Sequence, residues 1–250
     1  MIFDLQKASI WKRASAFLFD FILFGILAIG FAFLLSTITG YDAYSTTYTN
    51  KLTSYEETYN ISFTDMPESQ ENWSENERDA YNALIRDTEA MYTYNMMIDL
   101  MLLITSLSIL LSYLVLEFII PIFFKNGQTL GKKIFGIAVM RSNGVKINNI
   151  SLFIRTFLGK YAIETMVPVL ILTMIFYGMI GLLGTIILGL LLLLQLILLL
   201  ATKRNAVIHD LLADTVVVDF ASQMIYDTEE DLIAAKKQAA AEKANKTRYF

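Results

Sequence analysis

Arg13 and Asp20 lie seven residues apart at the start of a long apolar run. Seven steps of about 100° come close to two helical turns, so both fall on one helix face. The rise between them is about 10.5 Å, too far for direct contact along one helix, so each is expected to meet a group on another element. A carboxylate inside an apolar span costs several kcal/mol unless it is paired, hydrated or protonated, so Asp20 is a functional candidate. Glu117 stands four residues before Pro121, near the end of a second apolar run. It is expected to face Asp20 or Arg13, and two carboxylates near an arginine can share protons. His209 and Asp210 directly follow the last apolar run. Asp210 is expected to cap a short helix or to pair with Lys132, Lys133 or Arg155, and a free imidazole such as that of His209 titrates near neutral pH. Two chemistries fit this set, a polar clamp and a proton or cation carrier. The transport candidates are Arg13, Asp20, Glu117 and Asp210.

Other chemistries fit less well. The chain has no cysteine and one histidine, which removes thiolate and His-rich metal sites. No Ser–His–Asp order or HExxH helix appears, and neither an enzyme activity nor a cofactor or metal is expected. The stretch KNGQTLGKKIFGIAVMRSNG over 125–144 carries Gly127, Gln128, Gly131 and Lys132. A phosphate-binding loop needs GxxxxGK[ST] after a strand. Here the two glycines are one residue too close, and Lys133 stands where Ser or Thr belongs. The lysines read more simply as a membrane anchor.

These residues need elements to hold them, and the elements are membrane helices. Of the 250 residues, 55% are hydrophobic, and they gather in long runs. The first run, from Ala14 to about Ser36, is about 34 Å long as a helix, enough for a hydrocarbon core of about 30 Å. The second ends at Phe124. The third, Ala162 to Ala201, would be about 60 Å as one helix and must fold back. The glycines of YGMIGLLG, Gly178, Gly181 and Gly184, mark the turn. Four transmembrane helices result. Lys7, Lys12, Arg13, the lysines of the 125–146 segment, Lys203 and Arg204 all flank span ends. The positive-inside rule then places these segments and both termini in the cytoplasm of a multi-pass cell-membrane protein. Between Asp42 and Glu89, eleven acidic residues face three basic ones, so that loop reads as outside.

The chain therefore divides into 1–39 (N-terminal segment and first span), 40–95 (acidic outer loop with a helical extension) and 96–124 (second span). There follow 125–161 (GQTLGKK motif, hairpin and amphipathic helix), 162–204 (third and fourth spans), 205–226 (HDLLADT segment) and 227–250 (charged tail). Residues 1–12 are expected to form an interfacial helix with Phe3, Leu5 and Trp11 at headgroup level. Residues 41–70 show no clear period and read as loose or partly ordered. A capping box at Ser74 and Glu77 starts one helix expected to run from about 75 to 120. The segment IAVMRSNGVKI, with its Asn-Gly turn, predicts a β-hairpin, to which Thr215–Val218 can add a strand. Arg155 and Lys160 are expected to reach lipid headgroups from an amphipathic helix over 151–160.

Three ordered motifs carry a resemblance. GQTLGKKIFGIAVM, the Arg13–Asp20 pair and RNAVIHDLLADTVVV over 204–218 resemble the RDD family of bacterial membrane proteins. The resemblance covers 8–39 and 100–218 and makes Asp210 the second aspartate of the family name. At Asp214 the family pattern has glycine, which puts a tight backbone turn there in doubt. Cation/proton antiport has been proposed for some members. The resemblance and the residues imply an all-α integral membrane protein with four transmembrane helices, a small cytosolic β-hairpin/strand cap and an extracytoplasmic helical extension. The expected function is exchange of monovalent cations for protons, with Asp20 as carrier. The alternative is a non-transporting scaffold or accessory subunit acting through its acidic outer loop. The expected partners are the bilayer, monovalent cations and protons, and either further copies of the chain or a partner membrane protein; nucleic acid is not among them.

Overall fold

The computed structural model describes residues 5–248. Phe3 of the expected interfacial helix lies outside them. Among the described residues, four helices are long and apolar enough to cross a membrane: α1 (Ile10–Thr39), α4 (Thr88–Phe124), α6 (Asn149–Phe176) and α7 (Gly181–Ala201). The fold-back between α6 and α7 falls where the glycines predict it. Gly178 and Gly181 adopt φ of 69° and 39°, a region that favours residues without a Cβ. Gly184 then lets Ile175 and Ile180 pack against the α7 backbone.

The chain forms two compact units, one of residues 28–109 and one of the remainder. In the first of these, α2 (Tyr41–Tyr59) occupies the stretch expected to be loose or partly ordered. It has no apolar stripe for a sequence period to reveal. Tyrosines hold it instead: Tyr44 meets Tyr92 and Tyr48 meets Tyr94, with ring centres 6.3 and 5.3 Å apart. α3 (Glu75–Arg86) opens with the expected reciprocal cap between Ser74 and Glu77. The single helix expected over 75–120 is broken at Asp87, whose backbone turns extended. Asp87 Oδ1 accepts from the amides of Glu89 and Ala90 at the start of α4, while Oδ2 takes Lys51 and the Tyr55 hydroxyl. The side chain satisfies orphan amides as an N-cap does, which outweighs continuation.

In the other unit, β1 (Ile137–Arg141) pairs antiparallel with β2 (Thr215–Asp219), Val139 opposite Val217. Side chains alternate between faces, and both faces are covered. Ile137, Val139 and Val217 pack with Ala8 and Ala16, whereas Ala138, Met140, Val216 and Val218 form a second cluster. The local hairpin is reduced to a single bridge between Met140 and Lys146, so the distant strand is the main partner. Residues 5–9 are not helical. Lys7 bridges to Val218, and the Ala8 amide donates to the Val217 carbonyl at 3.2 Å. Strand pairing to the open edge of β2 replaces the expected interfacial helix. Asp214 keeps a tight turn without glycine, at φ 47°. Aspartate tolerates this region, and the Ser142 hydroxyl donates to its carboxylate at 2.6 Å.

Two helices widen where they carry charge. α4 has π-helical turns over Leu114–Ile119 and continues through Pro121 to Phe124. α6 has them over Ile154–Met166. Glu117 sits in the first stretch, and Arg155, Lys160 and Glu164 in the second. Widened turns of this kind recur at functional positions. α6 runs unbroken through residue 161, so the amphipathic helix expected over 151–160 is its first part. Short helices α5 (Leu130–Ile134) and α8 (Ile208–Leu212) complete this end, and α9 (Glu229–Arg248) follows β2.

Candidate functional site: a closed network of buried charges

The first three turns of α1 bury Ala16 and Asp20 on one face. The GQTLGKK loop docks there. Gly127 adopts φ 61° and packs against Val139 and Ile147, and the Gln128 amide donates to the Ile137 carbonyl at 2.8 Å. This fixes the loop against β1. Thr129 caps α5, and its hydroxyl donates to Asp20 Oδ2. The Gly131 amide donates to Asp20 Oδ1 at 2.7 Å. Gly131 has to be glycine for this. A Cβ there would strike the Ala16 carbonyl and sit 2.9 Å from the Asp20 carboxylate.

Lys132 continues the network. Its ammonium donates to Thr129 Oγ at 3.2 Å and lies 3.5 Å from Glu117 Oε2. Lys160 holds the other Glu117 oxygen. Burial pushes the Lys132 ammonium down to about 8, with Glu117 opposing. Glu117 therefore contacts two lysines, not Asp20 or Arg13 as expected.

Asp210 is gripped from both sides. Arg13 Nη2 reaches one oxygen at 3.1 Å, and Arg155 takes the other. Arg13 also donates to the Asn205 carbonyl at 2.5 Å, and Arg155 to Thr215 Oγ at 2.7 Å. Burial alone would raise the Asp210 carboxyl, but the Arg155 and Arg13 guanidiniums outweigh it and hold it well below the usual carboxylate range. Of the expected partners Asp210 takes Arg155. Lys132 turns to Glu117, and Lys133 sits over the Phe124 ring at 3.8 Å. Arg155 is 3% exposed, so it does not reach headgroups as expected, and Lys160 turns inward to Glu117. A buried counter-charge for each outweighs the solvent they lose.

His209 closes the set. Its amide donates to Glu164 Oε1 at 3.0 Å, and its Nδ1 lies 2.7 Å from Glu164 Oε2. A proton on Nδ1 of a neutral ring fits this contact. Burial and the nearby Arg155 push the imidazole below its usual value, against the pull of Asp210 and Glu164. Gly159 permits this approach, because a Cβ there would lie 2.7 Å from the His209 Cα.

Charges balance across the network. Asp20, Glu117, Glu164 and Asp210 stand against Arg13, Lys132, Arg155 and Lys160. Arg13, Asp20, Glu117, Lys132, Arg155 and His209 line a cavity of about 80 Å³. That is room for about two to three water molecules at about 30 Å³ each. Thr129, Arg155, Lys160, Glu164 and Thr215 belong to the site but were not among the sequence candidates. Two signals pointed to some of them: Thr129 stands within the GQTLGKK motif, and Arg155 was an expected partner of Asp210.

No curated protein and no solved structure matches the chain. The model of the RDD family matches residues 7–214. The matched range holds Arg13, Asp20, the GQTLGKK loop and Asp210, and the chain belongs to the RDD family of membrane proteins.

Proposed function

We propose that the protein is a membrane-embedded scaffold or accessory subunit whose charge network fastens the β cap onto the ends of the spanning helices. The carrying observation is the state of Asp20. Both oxygens are engaged by the capping loop, and the surrounding charges cancel. Such a carboxylate would have to break both contacts before it could hold a cation. Buried, fully partnered networks specify one arrangement more than they add stability. In this reading the basic flanks and both termini face the cytoplasm, and residues 40–95 face out.

The working surface is the acidic hairpin of α2 and α3. Glu57, Glu68, Glu71, Glu75 and Asp79 are exposed on it, which suits a partner with a basic face. The test is cross-linking in intact membranes followed by copurification, wild type against a variant with Glu68, Glu71, Glu75 and Asp79 changed to glutamine. A partner whose capture weakens with salt and disappears in the variant supports the reading. An unchanged set of cross-links overturns it.

Cation–proton exchange is the second reading. One observation favours it, the polar cavity that Asp20, Glu117 and Lys132 share. Opening the Asp20–Thr129 contact would be its carrier step.

A further inference from the structure

A second, larger cleft lies beside the charge network. Its volume is about 640 Å³, within the range of small-molecule sites. Its walls are Phe17 and Phe21 of α1, Val169 of α6, and Leu196 and Leu199 of α7. At its polar end stand Arg13 and Glu164. A second apolar cavity of about 390 Å³ lies on the other side of Glu164, Pro168 and Gln195, which line both. Two apolar clefts therefore meet at one polar ridge.

The charges at that ridge are unevenly matched. Arg13 and Arg155 share a single carboxylate, Asp210, which leaves one positive charge over. Arg13 spends two hydrogen bonds on Asn205 and Asp210, and a guanidinium has five N–H groups. Glu164 is the opposite case. Its side-chain neighbour His209 is an imidazole that burial keeps neutral, which leaves one negative charge over. A carboxylate can accept about four hydrogen bonds; His209 supplies two and the Gln195 side chain another, which leaves room for an added donor.

We infer that this ridge binds a phospholipid with a zwitterionic phosphate–ammonium head, phosphate on Arg13 and ammonium on Glu164, with its acyl chains in the two flanking clefts. A primary ammonium suits Glu164 because it keeps N–H donors that a quaternary one lacks. An anionic head without an amine would satisfy Arg13 and leave Glu164 repelled. The site is independent of the scaffold reading and holds whether or not the protein transports ions.

Native mass spectrometry of the purified protein tests this, after exchange into micelles holding equal phosphatidylethanolamine, phosphatidylcholine and phosphatidylglycerol. The expected result is retention of one phosphatidylethanolamine, at least tenfold over either competitor. Ala14→Trp and Leu199→Trp, which fill the larger cleft from opposite walls, should each abolish retention while the melting temperature holds. Glu164→Gln should shift the preference to phosphatidylglycerol, which a merely structural role would not do. Chain-free phosphoethanolamine should fail to displace the lipid at millimolar concentration. Equal retention of the three lipids, none at all, or retention that survives both tryptophan variants would overturn the inference. Displacement by phosphoethanolamine would overturn the part assigned to the chains.

Discussion

Asp20 and Thr129, 109 residues apart in the chain, share a hydrogen bond where α1 meets the GQTLGKK loop. The contact makes a carboxylate in a membrane helix into the N-terminal partner of a short helix from another part of the chain. Replacing Asp20 by asparagine keeps one acceptor and loses the charge. Loss of a buried, charge-assisted hydrogen bond costs about 1.5–3 kcal/mol. Asp20→Asn should therefore lower the melting temperature in detergent, and Asp20→Leu should lower it further, because the Thr129 hydroxyl and Gly131 amide then have no acceptor.

Asp210 should be the least replaceable acid. Asp210→Asn leaves Arg13 and Arg155 facing each other across a neutral amide, and an uncompensated buried charge costs about 3–5 kcal/mol. Arg155→Met in the same chain should recover part of that loss. Unfolding of the two single variants and the double variant measures the coupling, which should exceed about 1 kcal/mol.

Stability should fall as the solution is acidified. The folded-state pKa of His209 lies below its unfolded value. The unfolded chain therefore binds the proton first, and stability present above about pH 6.5 drains away as pH falls. Glu164, Asp210 and Arg155 face the ring and set the size of the effect. Asp210 acts with the same sign at lower pH, since its folded-state pKa is also depressed. Melting temperatures from pH 7.5 to about 2.5 should show both falls, the second beginning near the unfolded value of 3.8, and His209→Gln should flatten only the upper one.

Glycines should divide by what surrounds them. Nothing lies within 4 Å of a Cβ built at Gly25, so Gly25→Ala should be neutral or stabilise by up to about 1 kcal/mol. Gly131→Ala should prevent docking of the GQTLGKK loop, read as early proteolysis within 125–136. Gly159→Ala should displace α8 in the same way.

The spans were legible because each apolar run has the length of a bilayer and because glycines mark the fold-back. Strand pairing was legible in the β-branched run at 215–218. Helix α2 was not, since its order comes from tyrosine rings on α4 and not from its own pattern. The break at Asp87 was hidden for the same reason: its partners Lys51 and Tyr55 come from another helix. Arg155 read both as a headgroup anchor, because its own segment is amphipathic, and as one of three partners for Asp210. Only the fold selects the second role, by bringing Asp210, 55 residues on, to its side. The candidate acids Asp20, Glu117 and Asp210 were found from their cost in an apolar setting. Their partners were mostly not found, because charge pairing is long-range in sequence.

The closed state of Asp20 is best tested by flux. Purified protein in proteoliposomes with an internal pH dye would receive pulses of Na⁺, K⁺ or Li⁺, wild type beside Asp20→Asn. The clamp account predicts no cation-driven pH change from either protein, and a lower melting temperature for the variant alone. A pH change in the wild type that is lost in a folded, inserted Asp20→Asn variant would contradict it and make Asp20 a carrier.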